Sequence, residues 1–471
     1  MPAQPLRLEV AEFSGPDRWR WVLKDAGGAF LADHSITLDR TDPTCAALLD
    51  LPGYLQFHAA PDNRGADERR LLREIGGWIG ERVLGAGIAA RLHERARPAV
   101  VVRVLVPQAA ARLLTLPLEV ACLGDAEPLS RAGVSFVFET IGQSPPAAEP
   151  IGQRLRLLAL FSLPPAGSPL NLRRERQMLR GLVRRLVGAH GLAVELQVLQ
   201  YGVTRDRLRE VLEQGEGWNV IHFSGHGLPG SLVLEQPDGR PDLVPATELA
   251  GLLREAGGRV KLVMLSACLS AAASIDQTLT VLDLTPEAAP RRKGETGADA
   301  AEPAKAAPTV ARALTEALDC AVLAMRYAVE DEFAIAFGAA LYDRLLRQKQ
   351  TLPQAIRLAL GSATGGGAAA AVGALSAAAP ALFGPRAADL VLLAPQGAGI
   401  DLDTTLAEVP REANHFVGRV TAMTQASAAL AAESERSGVL FHGMAGAGKT
   451  SCAVELVHHH ANAGGFQRFV W

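Results

Sequence analysis

Two stretches of this chain carry side chains that could do chemistry together. Val220-Ile221-His222-Phe223-Ser224-Gly225-His226-Gly227 brings an imidazole to the end of an apolar run, and Val263-Met264-Leu265-Ser266-Ala267-Cys268-Leu269-Ser270 brings a thiol. Each run reads as a strand closing in a small-residue turn. A thiol is a weak nucleophile until it loses its proton, and a nearby imidazole both accepts that proton and stabilises the thiolate. In a parallel sheet the carboxyl ends of the strands share one edge, where ligands bind. On neighbouring strands, His226 and Cys268 would face each other there. Gly227 permits a tight turn, and its N–H with that of Cys268 would hold the oxyanion of an acyl intermediate. The 42 positions between them leave room for one helical crossover. Alone, a cysteine at a strand end is a small buried hydrophobe. The combination on matched strands is what points to a cysteine–histidine hydrolase.

A second motif lies near the end of the chain. Gly443-Met444-Ala445-Gly446-Ala447-Gly448-Lys449-Thr450 fits the phosphate-binding loop pattern, after the apolar run Val439-Leu440-Phe441 and before a helical pattern. Gly443, Gly446 and Gly448 let backbone N–H groups cradle phosphates, Lys449 would reach the β- and γ-phosphates, and Thr450 would hold Mg²⁺. ATP and Mg²⁺ are therefore the expected cofactors of the full-length protein. The dyad needs none. No Walker B acid appears in the 21 residues after Thr450, so this stretch should neither hydrolyse nor tightly hold ATP by itself. His458, His459 and His460 are not expected to bind metal, because adjacent helical residues point in different directions.

The elements that must position these groups form three units. Residues 1–145 read as a mixed α/β domain, with strands at Leu6 to Phe13, Trp19 to Lys24, Val100 to Val106 and Val134 to Glu139. Helical spacing runs from Asp67 to Ala96. Ser144 to Pro150 is a linker. Residues 154–395 alternate strand and helix, which implies a mostly parallel sheet covered on both faces. Its strands are expected at Leu155 to Leu163, Ala193 to Leu199, 218–224, 260–266, Cys320 to Ala324 and Asp389 to Leu393. Its helices are Leu172 to Val187 with arginines on the outer face, Thr204 to Glu213 capped by Thr204, Pro245 to Ala256, Val310 to Leu318, Asp331 to Lys349 and Ala355 to Gly361. Asp283 to Pro308 has almost no large apolar residue and should be disordered. Residues 414–471 open a third unit, with strands at Gly438 to His442 and Arg468 to Trp471. The chain reads as part of a longer protein.

With 471 residues, 48% hydrophobic and 21% charged, the composition is that of a globular protein of two to four domains. A net charge of −3 offers no field for nucleic acid. Cysteines 45, 122, 268, 320 and 452 are scattered and odd in number, so a disulfide framework is not expected and a reducing cytoplasm is. No signal peptide opens the sequence, and Gly365 to Phe383 is too poor in large apolar side chains to span a membrane.

The His-Phe-Ser-Gly-His-Gly run from His222 to Gly227 and the Leu-Ser-Ala-Cys-Leu-Ser run from Leu265 to Ser270 resemble the CHAT family, relatives of caspases and separases. Thr115 to Glu119 is similar to a Leu-Pro-Trp-Glu segment that often precedes such domains, with Leu118 in the place of Trp. Ala317 to Glu332 and Ala388 to Leu393 resemble later segments, the second being the last strand. The resemblance covers roughly residues 110 to 395. It implies a caspase-like α/β fold and a metal-free endopeptidase with His226 as base and Cys268 as nucleophile, His222 being structural. Related proteases use an acid to select Lys or Arg. Among Glu330, Asp331 and Glu332, Asp331 is the best candidate, the plainer role being a helix cap. Arg291-Arg292-Lys293, in the insert after the cysteine, offers a self-processing point, the plainer role being a tolerated surface insertion. Phe416-Val417-Gly418-Arg419 resembles the start of signal-transduction NTPases of the NACHT and NB-ARC kind. Together these imply a cytoplasmic, bacterial-type protease under a nucleotide switch, in antiviral defence or programmed cell death. The expected partners are a protein or peptide substrate and further copies of the NTPase module, with no nucleic acid and no membrane. The alternative is a silent signalling scaffold, or an NTPase whose protease-like domain only binds partners.

Overall fold

Val220–Leu228 is buried along all nine residues, and Ala321–Met325 along all five. Strands covered on both faces have no polar side to alternate with, so their sequences read as apolar runs. They lie at the centre of the sheet in the computed structural model, which describes all residues except 1–3, 40, 98, 125, 143–144, 165–169, 215, 229, 256–257, 269–308, 365–374, 398–405, 407, 414–415, 432–433 and 467.

Thirteen strands are found among the described residues: β1 Leu6–Gly15, β2 Arg18–Lys24, β3 Phe30–Thr37, β4 Val100–Pro107, β5 Val134–Ile141, β6 Leu155–Ser162, β7 Val194–Gln200, β8 Val220–Leu228, β9 Ser231–Glu235, β10 Pro241–Pro245, β11 Leu262–Cys268, β12 Ala321–Met325 and β13 Pro380–Phe383. They join in the order β10-β9-β8-β11-β12-β13-β5-β4-β1-β2-β3, with β6 also pairing β8 and β7 pairing β6. The centre is mostly parallel, as in β7·β6, β6·β8, β8·β11 and β11·β12. The β13·β12 pair is antiparallel, and β13 continues in parallel to β5. The sheet therefore runs unbroken from the first strands of the chain to the strands bearing His226 and Cys268, and one buried core extends along it.

The helices are α1 Pro43–Leu49, α2 Leu51–His58, α3 Arg64–Trp78, α4 Ala86–Arg95, α5 Leu129–Ala132, α6 Leu172–His190, α7 Arg205–Glu213, α8 Ala246–Glu255, α9 Val310–Ala317, α10 Asp331–Tyr342, α11 Leu352–Thr364, α12 Val420–Ala429 and α13 Lys449–Asn462. Thr204 caps α7 by accepting a hydrogen bond from the Arg207 N–H. α6, α10 and α11 pack together as one helical group, and α7, α8 and α9 as another. No helix among the described residues is long and apolar enough to cross a membrane.

Several expectations are corrected. The helical run from Asp67 to Ala96 is divided by a π-helical turn, Ile79–Gly85, which ends where Gly85 takes φ +84°. Asp389 to Leu393 is not a strand. β13 already occupies the place between β12 and β5, and Leu392 is buried by packing without a ladder. Gly438 to His442 and Arg468 to Trp471 pair with no strand among the described residues, and Leu440 and Val470 stand 84% and 77% exposed. The hairpin β9–β10 and the edge strand β3 were not expected. The expected disorder of 283–308 lies outside the described residues.

A buried ion pair fastens the first strands to the centre. Glu119, in the segment that has Leu118 in the place of Trp, accepts from Arg326 Nε and Nη2 at 3.4 and 3.2 Å. Arg326, just past β12, is 1% exposed and lies 4.5 Å from the Phe138 ring centroid. Burial pushes the Glu119 carboxyl up, and Arg326 opposes that shift. Removing Arg326 leaves the Glu119 carboxyl dry and without its counter-charge. Arg326→Met should lower unfolding stability by about 3–5 kcal/mol, and adding Glu119→Leu should recover part of the loss. Urea denaturation of the two variants measures both effects.

Candidate active site

β8 and β11 run in parallel from Val220↔Leu262 to His226↔Cys268. His226 and Cys268 are thus direct register partners on adjacent strands, which in any sheet lie about 4.8 Å apart. The tight turn expected at Gly227 lies further on. β8 continues to Leu228, Gly227 pairs with Leu232, and the chain reverses before Ser231. His226 is 8% exposed. Gly225 has a steric reason to be glycine, because a Cβ there would sit 2.4 Å from the Ser162 carbonyl oxygen of β6.

Period-two alternation puts His222, Ser224 and His226 on one face of β8. Beneath His226 that face carries a closed polar cluster. His222 Nε2 lies 3.1 Å from Glu175 Oε1 and its Nδ1 lies 3.0 Å from Tyr342 Oη. Ser224 donates to Glu175 Oε2 at 2.5 Å. All four residues are buried, so α6 (Glu175) and α10 (Tyr342) are tied to the strand by hydrogen bonds. Burial, then the neighbouring Glu175 charge, pushes the Tyr342 phenol up and keeps it neutral. His222 is structural here. Sequence reading missed Glu175 and Tyr342, since nothing in helical periodicity marks a buried acid as the partner of a distant strand.

Of the three acids after β12, Asp331 alone lines the cavities described at this edge. It stands in the first turn of α10, where the plainer reading puts an acid, one place after the capping position of Glu330, and its Oδ2 accepts from the Asn171 N–H at 2.7 Å. Burial pushes its carboxyl up, the Asn171 N–H pulls against that shift, and the charges of Glu175 and Glu332 add to it. Glu332 pairs with Arg174 at the surface. Asp331 borders a small space shared with Glu175, Ser224 and Ser266. It also borders a cleft of about 350 Å³ that reaches Phe416 and Val417. Arg291, Arg292 and Lys293 lie outside the described residues.

The arginines of α6 are not all on an outer face. Arg176 is fully buried and Arg173 is 9% exposed. Arg173 Nε and Arg176 Nη2 donate to the two oxygens of Glu455 on α13 at 3.2 and 2.9 Å. Arg176 also bonds Glu412 at 2.7 Å, and Arg173 bonds the Ala413 carbonyl at 2.6 Å. The Tyr201 hydroxyl donates to Glu455 at 3.3 Å from a backbone at φ +60°. α13 thus lies against β7 and α6.

At the start of α13, Gly443, Gly446 and Gly448 have φ of +145°, +77° and +83°. The Lys449 ammonium donates to the Gly443 and Met444 carbonyls at 3.0 and 2.8 Å. Free N–H groups of a helix N-terminus behind a glycine loop, with a lysine folded onto it, are a donor set that fits phosphate. His458, His459 and His460 are all buried. His459 Nε2 lies 2.9 Å from Ser427 Oγ, and His458 Nε2 lies 2.9 Å from the Pro410 carbonyl oxygen. No metal-binding group of three or more ligands occurs among the described residues.

Burial, then positive neighbours, holds His459 well below its usual value of 6.5 and pushes His460 down to about 4. The unfolded chain therefore binds these protons first. Stability from this source is complete above pH 6.5 and is lost as pH falls toward 4. Thermal unfolding followed between pH 7 and 4 should show that decline, and His459→Gln with His460→Gln should flatten it.

Residues 73–366 match the CHAT domain family. No curated protein matches the chain. The matched span begins within α3, so it takes in β4 and β5 together with the strands of His226 and Cys268. It covers more than half of the sequence, and the mixed, mostly parallel sheet between helices agrees with it: the chain belongs to the CHAT family, whose domain is of the caspase-like protease type.

Proposed function

We propose that this chain is a cysteine endopeptidase acting through His226 and Cys268, and that a phosphate-binding module at its C-terminal end controls it. The observation that carries the reading is the backbone register Cys268↔His226 on two parallel strands. In the mechanism this supports, His226 accepts the proton of the Cys268 thiol and the thiolate adds to the scissile carbonyl. The N–H groups of Gly227 and Cys268 receive the oxyanion. The intermediate collapses as the imidazolium gives its proton to the leaving amine. Water, deprotonated by His226, then cleaves the thioester and restores the thiol. The polar cluster of Glu175, His222, Ser224 and Tyr342 fixes β8, and so holds the His226 backbone in place. Asp331 gives the cleft an acid suited to a Lys or Arg side chain.

Bound ATP with Mg²⁺ would supply a charged, removable ligand at residues 443–450. Gly443, Gly446, Gly448 and Lys449 would hold its phosphates and Thr450 its metal ion. Glu455, two turns along the same helix, bonds Arg173 and Arg176 of α6, whose neighbour Glu175 supports β8. That chain of contacts supports control of the protease edge by the loop. A cytoplasmic role in bacterial defence or cell death, and assembly through the NTPase module, accord with this reading and rest on family likeness alone.

Cys268→Ala and His226→Ala should each lower peptide cleavage by about a thousandfold or more. A thiol-reactive peptide probe should label Cys268 in the unaltered chain, and a silent scaffold would show no selective labelling there. Incubating the unaltered chain beside Cys268→Ala without the probe, and sequencing the fragments, tests processing at Arg291-Arg292-Lys293. Intact chains from both wild type and Cys268→Ala, while an added peptide is cut, would refute that step. In a longer chain that carries the whole nucleotide site, Lys449→Ala should weaken ATP binding by about tenfold or more, measured by calorimetry. It should also remove any dependence of cleavage on nucleotide.

A further inference from the structure

The cleft that begins at Asp331 does not belong to the family-matched residues alone. One side is made by the end of β6 and the start of α6, with Phe161, Leu163 and Leu172. The other side is made by Phe416 and Val417, some fifty residues past the matched span. Its volume of about 350 Å³ is at the low end for sites that enclose a ligand. Val417 is 88% exposed, an apolar side chain left facing water at the cleft. Phe416 is held firmly from behind. Its ring lies 5.9 Å from the Arg173 guanidinium, which is itself fixed by Glu455 and the Ala413 carbonyl. It also packs against the cluster formed by Tyr201, Met423, Ala426, Cys452 and Leu456. Continuity with the catalytic edge is supplied by Asp331, which borders both the cleft and the small space it shares with Ser224 and Ser266, two residues before His226 and Cys268 on their strands.

We propose that the substrate cleft is composite: Phe416 and Val417 of the C-terminal unit form its apolar wall and select a peptide bearing a bulky apolar side chain near a basic residue held by Asp331. This deepens the proteolytic reading and rests on it for the nature of the ligand. A rigid wall makes the contact at little ordering cost, and covering Val417 adds buried apolar surface on binding.

The test is a binding measurement, so it does not depend on turnover. The full chain carrying Cys268→Ala is titrated into fluorescein-labelled hexapeptides with one Arg fixed and Phe or Ala at each of the four preceding positions. Anisotropy should show about a tenfold preference for Phe over Ala at one position. Phe416→Ala should shrink that ratio to about twofold or less, and Val417→Ala, at an exposed site with little effect on folding, should reduce it in the same sense. A Phe preference that is absent at every position, or undiminished in both variants, overturns the proposal. Tighter binding of all peptides to both variants also overturns it, since the segment would then be a cover over the cleft and not a wall. Cleavage of the same peptides by the unaltered chain is scored separately. Binding preference without cleavage refutes the proteolytic reading and leaves the wall intact; cleavage with no effect of either substitution does the reverse.

Discussion

The ladder between β8 and β11 is the constraint on which the rest depends. Seven consecutive register pairs align two apolar strands, and the last of them is His226↔Cys268. A slip of one residue would reverse which side each residue presents, so the register is set by the buried faces of the whole run and not by the two chemical groups. β6 presses on β8 from the other side closely enough to exclude a Cβ at Gly225. The strand bearing the imidazole is thus held on both edges by backbone and from one face by Glu175 and Tyr342.

α6 is shared by two buried polar clusters of opposite character. At Glu175 it meets the Ser224 hydroxyl and the His222 imidazole, which in turn bonds the Tyr342 phenol. At Arg173 and Arg176 it meets Glu455 and Glu412. Burying such charges costs several kcal/mol per ion unless their remaining hydrogen-bonding capacity is filled. Glu455 meets this demand by accepting from Arg173, Arg176 and Tyr201 together. Charge-assisted, multiply bonded pairs are also geometrically specific. α13 therefore docks in one orientation against α6 and β7, and Phe416 is positioned as a consequence.

The central strands and their neighbouring helices were legible because burial leaves a direct trace in composition. β8, β11 and β12 read as apolar runs, Thr204 as a cap, and the glycine loop as the start of a helix. Partnerships were not legible. Glu119 and Arg326 meet across 207 positions, and each looks like a surface residue in its own segment. The arginines of α6 read as a solvated face because the acids that neutralise them lie well over 200 positions later. Periodicity says that Leu392 is buried, but not whether it pairs with another strand, so the last strand was placed after β13 instead of at it. That His226 and Cys268 would face each other was expected from two apolar runs that each end in small residues, on the condition that the strands are neighbours, and their backbones are register partners.

The β13·β5 pairing has a consequence for how this chain tolerates damage. The link from Ile141 to Leu155 is the covalent path between the first five strands and the rest, yet β5 is also stitched laterally to β13, and Glu119 is bonded to Arg326. Scission of the backbone in that link would cut the polymer without shedding a piece: both halves would stay associated and migrate together until denatured.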